Sequence, residues 1–342
     1  MIAADGANGP VPTSRDLSTE AWQLAARRSW HGFLRHRGID SAATLSFFAA
    51  LVVFPASLTV VSIFALLDNR TRAIHDLLTV VGSVASSDTV DAVAGPLRQL
   101  LSIPSPGFAL ATGLILTLWA LGNYVTAFGR AVNTAYEVQE GRQWGLLRLA
   151  MLGVSAALMV ALGLIVVLLL GTPTVAESLA RRQGLGPVIP IVWDVLKWPA
   201  LAVLAIMMVA ILYYYSPNVR HLRIRWVTWG ALAATAAWVL ATLGFAIYVL
   251  NISHYNKVYG WLGGAIVLLL WLYISNLVVV FGAEVDAEIV RVRQLEAGIE
   301  AEVVIPLPLR STHRNLILAR HLSDDERRGR ELREDADRRR KG

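Results

Sequence analysis

Arg130, Asn133 and Glu137 recur at intervals of three and four where the second long apolar stretch gives way to polar sequence. On a helix that spacing puts all three on one face. An arginine flanked by Asn123 and Tyr136 at such a boundary suits an anionic headgroup, because a guanidinium pairs with phosphate bidentately. The competing reading is a structural hydrogen-bond network between helices, with Arg130 meeting Glu284. Tyr273, Asn276 and Glu284 form a second helical stripe, expected to face the bundle interior. There Tyr273 and Asn276 serve as packing glue and Glu284 pairs with an arginine. With Asn218, beside Pro217, the candidate lipid-binding set is Asn123, Arg130, Asn133, Tyr136, Asn218, Tyr273, Asn276 and Glu284. A polar-lined lateral cavity near Arg130 and Glu284 would favour transport, and a sealed bundle would favour a scaffold.

Other chemistries find little support. The histidines His31, His36, His75, His221, His254, His313 and His321 are scattered, without a His-x-His or His-x-x-x-His pair. A metal-dependent nuclease needs such clustering. Neither a Gly-x-Ser-x-Gly elbow nor a Gly-x-x-x-x-Gly-Lys phosphate loop occurs. Cysteine is absent, which removes thiolate zinc sites, iron–sulfur clusters and disulfides. A hydrolase site at His254, Tyr255 and Lys257 rests on residues that gather at membrane interfaces anyway. The expectation is therefore no enzyme, no metal and no cofactor. Strongly ionisable residues are missing from the middle of every apolar stretch, which disfavours a proton or ion relay.

Six uncharged windows must position these residues: 41–67, 99–129, 149–176, 198–219, 226–256 and 258–283. Each exceeds the roughly 20 helical residues that cross a hydrocarbon core, and none alternates as a barrel strand does. A composition of 55% hydrophobic and 16% charged residues fits the same class. The fold class is all-α, a polytopic membrane protein with six transmembrane helices and short interfacial helices. Lys and Arg number 24 in the tails and even loops against 7 in the odd loops, which places both termini in the cytoplasm.

Residues 1–40 form a cytoplasmic N-terminal segment, residues 41–288 the membrane domain and residues 289–342 a polar tail, expected to be mostly disordered. Within 17–37, Trp22, Trp30 and Phe33 mix with Arg27, Arg28, Arg35 and Arg37. Two readings stay open: an amphipathic helix in the interface, or one packed on the bundle. Two short helices are expected in the first outer loop, 68–106. Pro55 and Pro217 are positions where a helix kinks or ends. Gly260 and Gly264 are spaced for close helix approach. In the tail, Asp324, Asp325, Glu326, Glu331, Glu334, Asp335 and Asp337 nearly cancel the arginines, so solvation is preferred over nucleic-acid binding.

Several segments together resemble the YihY/virulence factor BrkB family of bacterial inner-membrane proteins, formerly labelled ribonuclease BN. They are the Leu-Ser-Phe-Phe-Ala-Ala-Leu-Val-Val-Phe-Pro run within 42–67, Phe128 to Tyr136, Ser-Pro-Asn-Val-Arg at 216–220, and 248–288 with Tyr259-Gly260, Leu262-Gly263, Leu269 to Tyr273 and Gly282-Ala283-Glu284. The resemblance, over 29–288, implies six membrane helices, cytoplasmic ends and a transporter-like or envelope-lipid role, with no catalytic residues to carry over. The expected function is transport or translocation of an anionic amphiphile in envelope biogenesis. The alternative is a non-transporting scaffold for envelope-assembly partners. Expected partners are membrane phospholipid or another anionic lipid, together with a second copy or an envelope protein; nucleic acid is not among them.

Overall fold

The computed structural model describes residues 17–66, 105–170, 188–220, 229–251 and 261–341. The expected outer-loop helices, the His254, Tyr255 and Lys257 group and Gly260 lie outside them. Among the described residues every regular element is a helix: α1 (Thr19–Arg35), α2 (Gly38–Leu66), α3 (Pro106–Ala135), α4 (Trp144–Leu170), α5 (Val188–Tyr215), α6 (Trp229–Asn251), α7 (Trp261–Glu296) and α8 (His313–Lys341).

Each uncharged window falls on one helix from α2 to α7. Five of these are long and apolar enough to cross a membrane, and α6 contributes a shorter apolar stretch, Ala234–Val249. Only 11 to 39% of each long helix's apolar window is buried. Side chains such as Phe54, Phe108 and Leu240 stand at least 70% exposed. A protein dissolved in water would not leave so much apolar helix surface open, so lipid is the solvent these faces match.

Small residues set the close contacts. α2 runs along α3, and a Cβ at Gly113 would stand 2.7 Å from Thr59 Oγ1 and 3.0 Å from the Thr59 backbone nitrogen. A Cβ at Gly129 would meet the Ser216 carbonyl at 3.0 Å, where α3 touches the end of α5. Gly264 differs from expectation: a Cβ there meets open space, so it marks no close approach among the described residues. Inside the bundle the Phe128 ring stacks on Tyr213 at 5.7 Å and on Tyr124 at 6.5 Å. The Tyr124 hydroxyl donates to Asn276 Oδ1 at 2.8 Å, and the Asn276 amide reaches Ser46 Oγ at 3.3 Å. Pro55 lies inside α2, where the Thr59 hydroxyl donates to its carbonyl; α5 stops two residues before Pro217.

α1 packs on α7. Its buried face is built from small residues, Ala21, Ala25, Ser29 and Gly32, spaced four, four and three apart, with Phe33 beside them. Ser18 caps the helix by accepting from the Ala21 amide and donates its hydroxyl to Glu296 at 2.6 Å. Phe33 sits edge-on to Phe281 at 5.5 Å. α1 is thus packed on the bundle, while Trp22 and Trp30 keep exposed rings. The corner into α2 bends through Arg37, at φ 56°, and Gly38, where a Cβ would stand 2.2 Å from the Phe33 ring.

α7 runs for 36 residues, about 54 Å at 1.5 Å per residue, so its last third extends past a hydrocarbon core of about 30 Å. The polar sequence after it departs from the expected disordered tail. Ala301 and Ile305 are buried, and Leu309 forms an isolated antiparallel bridge with Val219. Residues 299–311 thus strap back across the end of α5. From His313 the chain forms α8, with no buried residue along its 29.

Candidate functional site: the polar end of the bundle

α7 places Glu284, Asp286, Glu288 and Arg291 within eight residues, and all four are buried. Burying charge is tolerable only when it is paired. Glu284 Oε1 lies 3.0 Å from His36 Nδ1, and His36 Nε2 is 3.7 Å from Glu137. Glu137 also takes Arg35 at 2.6 Å and stands 3.1 Å from Arg291. Arg291, with no side-chain exposure, reaches Glu288 at 3.1 Å and donates to the Ala301 carbonyl at 2.7 Å. Its Nη2 faces Glu137 at ion-pair distance without the alignment of a hydrogen bond. Arg28 closes the chain on Glu288 at 2.9 Å. Six charged side chains, Glu284, Glu137, Arg35, Arg291, Glu288 and Arg28, with His36 between Glu284 and Glu137, therefore join α1, the end of α3, α7 and the strap. Glu137 can bridge because it leaves the helix at φ 56°, which takes it off the face predicted for it with Arg130.

Beside this chain, the Tyr136 hydroxyl donates to Asp286 at 2.8 Å. Burial first, then the charge and hydrogen bond of Asp286, hold the Tyr136 phenol well above its usual range, so it stays a donor.

Asn218 ties a second knot. Its backbone N–H donates to Asn133 Oδ1 at 2.8 Å, and its side-chain amide donates to the carbonyls of Gln139 and Ser311. Its own Oδ1 accepts from the Ser311 amide. Asn133 donates to Glu140, which Arg142 grips through two guanidinium nitrogens at 2.8 Å, while Arg142 also donates to the Ser216 carbonyl. Burial raises the Glu140 carboxyl, but the hydrogen bonds and charge of Arg142, with the Asn133 amide, outweigh it and leave it below the usual carboxylate range. A Cβ on Gly141 would stand 1.9 Å from the Ser311 carbonyl, so the strap crosses where only glycine fits.

Of the eight candidate residues, Asn133, Tyr136, Asn218 and Glu284 converge on this end, in internal bonds. Asn276 sits deeper, held by Tyr124, Ser46 and the Leu272 carbonyl. Asn123 and Tyr273 are half-buried and make no hydrogen bond among the described residues. Arg130 is exposed and has no carboxylate at ion-pair distance among the described residues. The expected Arg130–Glu284 pair is replaced by His36–Glu284, because Glu284 faces α1. A Cβ on Gly32 would stand 3.0 Å from Glu284 Oε2, so the close approach of α1 fills the place an arginine would need.

Sequence reasoning missed Arg28, His36 and Arg291. The available signal was the spacing of Glu284, Glu288 and Arg291, four and then three apart, which puts a mixed-charge stripe on one face. Among the described residues, hollows lie at the α1–α2 corner between Phe33 and Asp40 and along α8 beside Glu326 and Arg333; neither of these is lined by Arg130 or Glu284. Among the described residues no three His, Asp or Glu side chains are grouped to hold a metal ion.

Residues 29–303 match the family model described as virulence factor BrkB. A ribonuclease-like protein of Bacillus subtilis (strain 168), YfkH, is 29% identical over 74% of this chain and 90% of its own. A UPF0761 membrane protein of Aliivibrio salmonicida is 24% identical over 79% of this chain and 86% of its own. One of Alkalilimnicola ehrlichii is 29% identical over 74% of this chain, a match spanning 55% of that longer relative. No solved structure matches. The family match runs from α1 through every apolar helix to the start of the strap and takes in the whole of α7 with its buried charges: the chain belongs to the virulence factor BrkB family, and it is an integral membrane protein.

Proposed function

We propose that this protein transports or translocates an anionic amphiphile across the bacterial inner membrane, with both termini in the cytoplasm, and that it does so without enzymatic chemistry. The observation that carries this reading is Arg130, the only charged residue of α3, exposed about 8 Å inside the helix's polar end at 1.5 Å per residue. The acidic groups around it are already paired with other cations, which leaves its guanidinium for a headgroup phosphate. The long aliphatic stem lets the charge reach the interface while acyl chains lie along the apolar helix faces. Among the described residues the buried ionisable groups lie at the polar end of the bundle, which supports a structural role for them.

Purified protein in vesicles carrying a labelled anionic phospholipid tests the reading. Wild type is expected to speed leaflet exchange and Arg130→Ala to slow it, with Arg130→Lys between, because lysine keeps the charge and loses the bidentate fork. Equal exchange with wild type, with Arg130→Ala and without protein would refute it.

The second reading, a scaffold for envelope-assembly partners, draws on the two described hollows, neither lined by Arg130 or Glu284, and on the charged length of α8 from Asp324 onward, which is exposed throughout. The clean test deletes 313–342 and keeps the strap, since residues 299–311 hold the bundle. Loss of the cellular phenotype with unchanged lipid exchange would favour the scaffold.

A further inference from the structure

We propose that the first three turns of α8, residues 313–322, form an in-plane docking surface for the anionic lipid leaflet at the polar end of the bundle. At 100° per residue, Leu316, Leu318, Ala319 and Leu322 share an arc of roughly 160°, with Asn315 the one polar residue of 313–322 among them. Leu316, Leu318 and Leu322 are 59, 49 and 54% exposed, and nothing among the described residues covers them. His313, Arg314, Arg320 and His321 lie on the remaining arc, together with Ile317. Arginines, here Arg314 and Arg320, over an apolar face are the pattern of a helix lying in a membrane interface.

Two further observations choose lipid over water or protein. The start of α8 is pinned at the level where the spans end. Arg310 Cζ lies 5.6 Å over the Tyr214 ring and 6.0 Å over that of Tyr215, at the end of the α5 span, and the guanidinium donates to the Tyr214 carbonyl. The Arg314 amide donates to the Gly141 carbonyl at 3.0 Å, three residues before Trp144, which is 71% exposed beneath Arg148. Tyrosine and tryptophan in such positions form an interfacial belt. The charge matches as well: no Asp or Glu occurs between Glu302 and Asp324, while Arg310, Arg314 and Arg320 do. A second copy is the poorer occupant. Beyond Leu322 the only apolar side chains of α8 are Leu332 and the small Ala336, so no apolar repeat continues for helix pairing.

The absence of native cysteine makes the test direct. Full-length Ala319→Cys and Ala336→Cys proteins, each carrying an environment-sensitive dye, are placed in nanodiscs of phosphatidylcholine with or without phosphatidylglycerol and with spin-labelled lipid. The dye at 319 is expected to shift to the blue and be quenched. Omitting phosphatidylglycerol should weaken both effects, and the dye at 336 should show neither. Adding L316E, L318E and L322E should abolish quenching at 319 without disturbing the bundle, because none of these side chains is buried. Quenching at 319 no greater than at 336 overturns the proposal, as does a pyrene excimer at 319 that vanishes at one copy per disc, the signature of a second copy.

Discussion

Arg291→Met removes the one cation that touches both carboxylates in the middle of the charge chain. In the wild type its guanidinium stands 3.1 Å from Glu288 and from Glu137 and donates to the Ala301 carbonyl, with none of the side chain exposed. Breaking a buried pair from one side costs about 3–5 kcal/mol, since the orphaned charge stays out of water. The lower half of that range applies here, because Glu288 retains Arg28 and Glu137 retains Arg35. The stranded Ala301 carbonyl adds about 1 kcal/mol, giving about 4 kcal/mol in all. Denaturant unfolding in mixed micelles, followed through the 11 tryptophans, reads this as a lowered midpoint. Arg291→Lys should lose less, and Glu288→Gln added to Arg291→Met should restore part of the loss by removing one uncompensated charge. The wild-type value should change little with added salt, because a dry pair is weakly screened. If Arg291→Met unfolds within about 0.5 kcal/mol of wild type, the range of ordinary surface changes, then the buried chain does not hold this end together.

Two further perturbations have definite signs. Gly113→Ala should destabilise by about 1–3 kcal/mol, because its Cβ would overlap Thr59 side chain and backbone together, whereas Gly264→Ala should be neutral; both are read by the same unfolding assay. Glu140 titrates below its ordinary 4.5, so its contribution is complete above that value and is lost as pH falls through the depressed one. Acid should therefore loosen the strap, read as faster proteolysis of 299–341, and Glu140→Gln should show the loosened state already at neutral pH.

The spans were legible because hydrocarbon imposes one rule over some 20 consecutive residues, so the uncharged windows and α2 to α7 coincide. Asn276 and Glu284 were legible as inward-facing for a related reason, helical periodicity along α7. The partners were not. His36 and Glu284 are 248 positions apart, and nothing in the stripe of α7 says which helix will cover it. Position also failed to predict Glu137, whose left-handed backbone breaks the periodicity that put it beside Arg130. The strap was invisible to composition because its anchors are backbone bonds to Asn218 and Gly141, which carry no hydropathy signal. In α8 composition missed local order as well: Asp324–Arg327 and Asp335–Arg338 pair at i,i+3, a spacing that supports a helix without any burial.

Because α1 finds its partner in α7, and Ser18 meets Glu296 across 278 positions, α1 is synthesised long before the helix that seats it. Its small-residue face must wait, uncovered, until the sixth span has been threaded into the bilayer. A chain cut short before α7 would leave Ala21, Ala25 and Ser29 without the helix that covers them, so the oldest part of the bundle depends for its burial on one of the youngest.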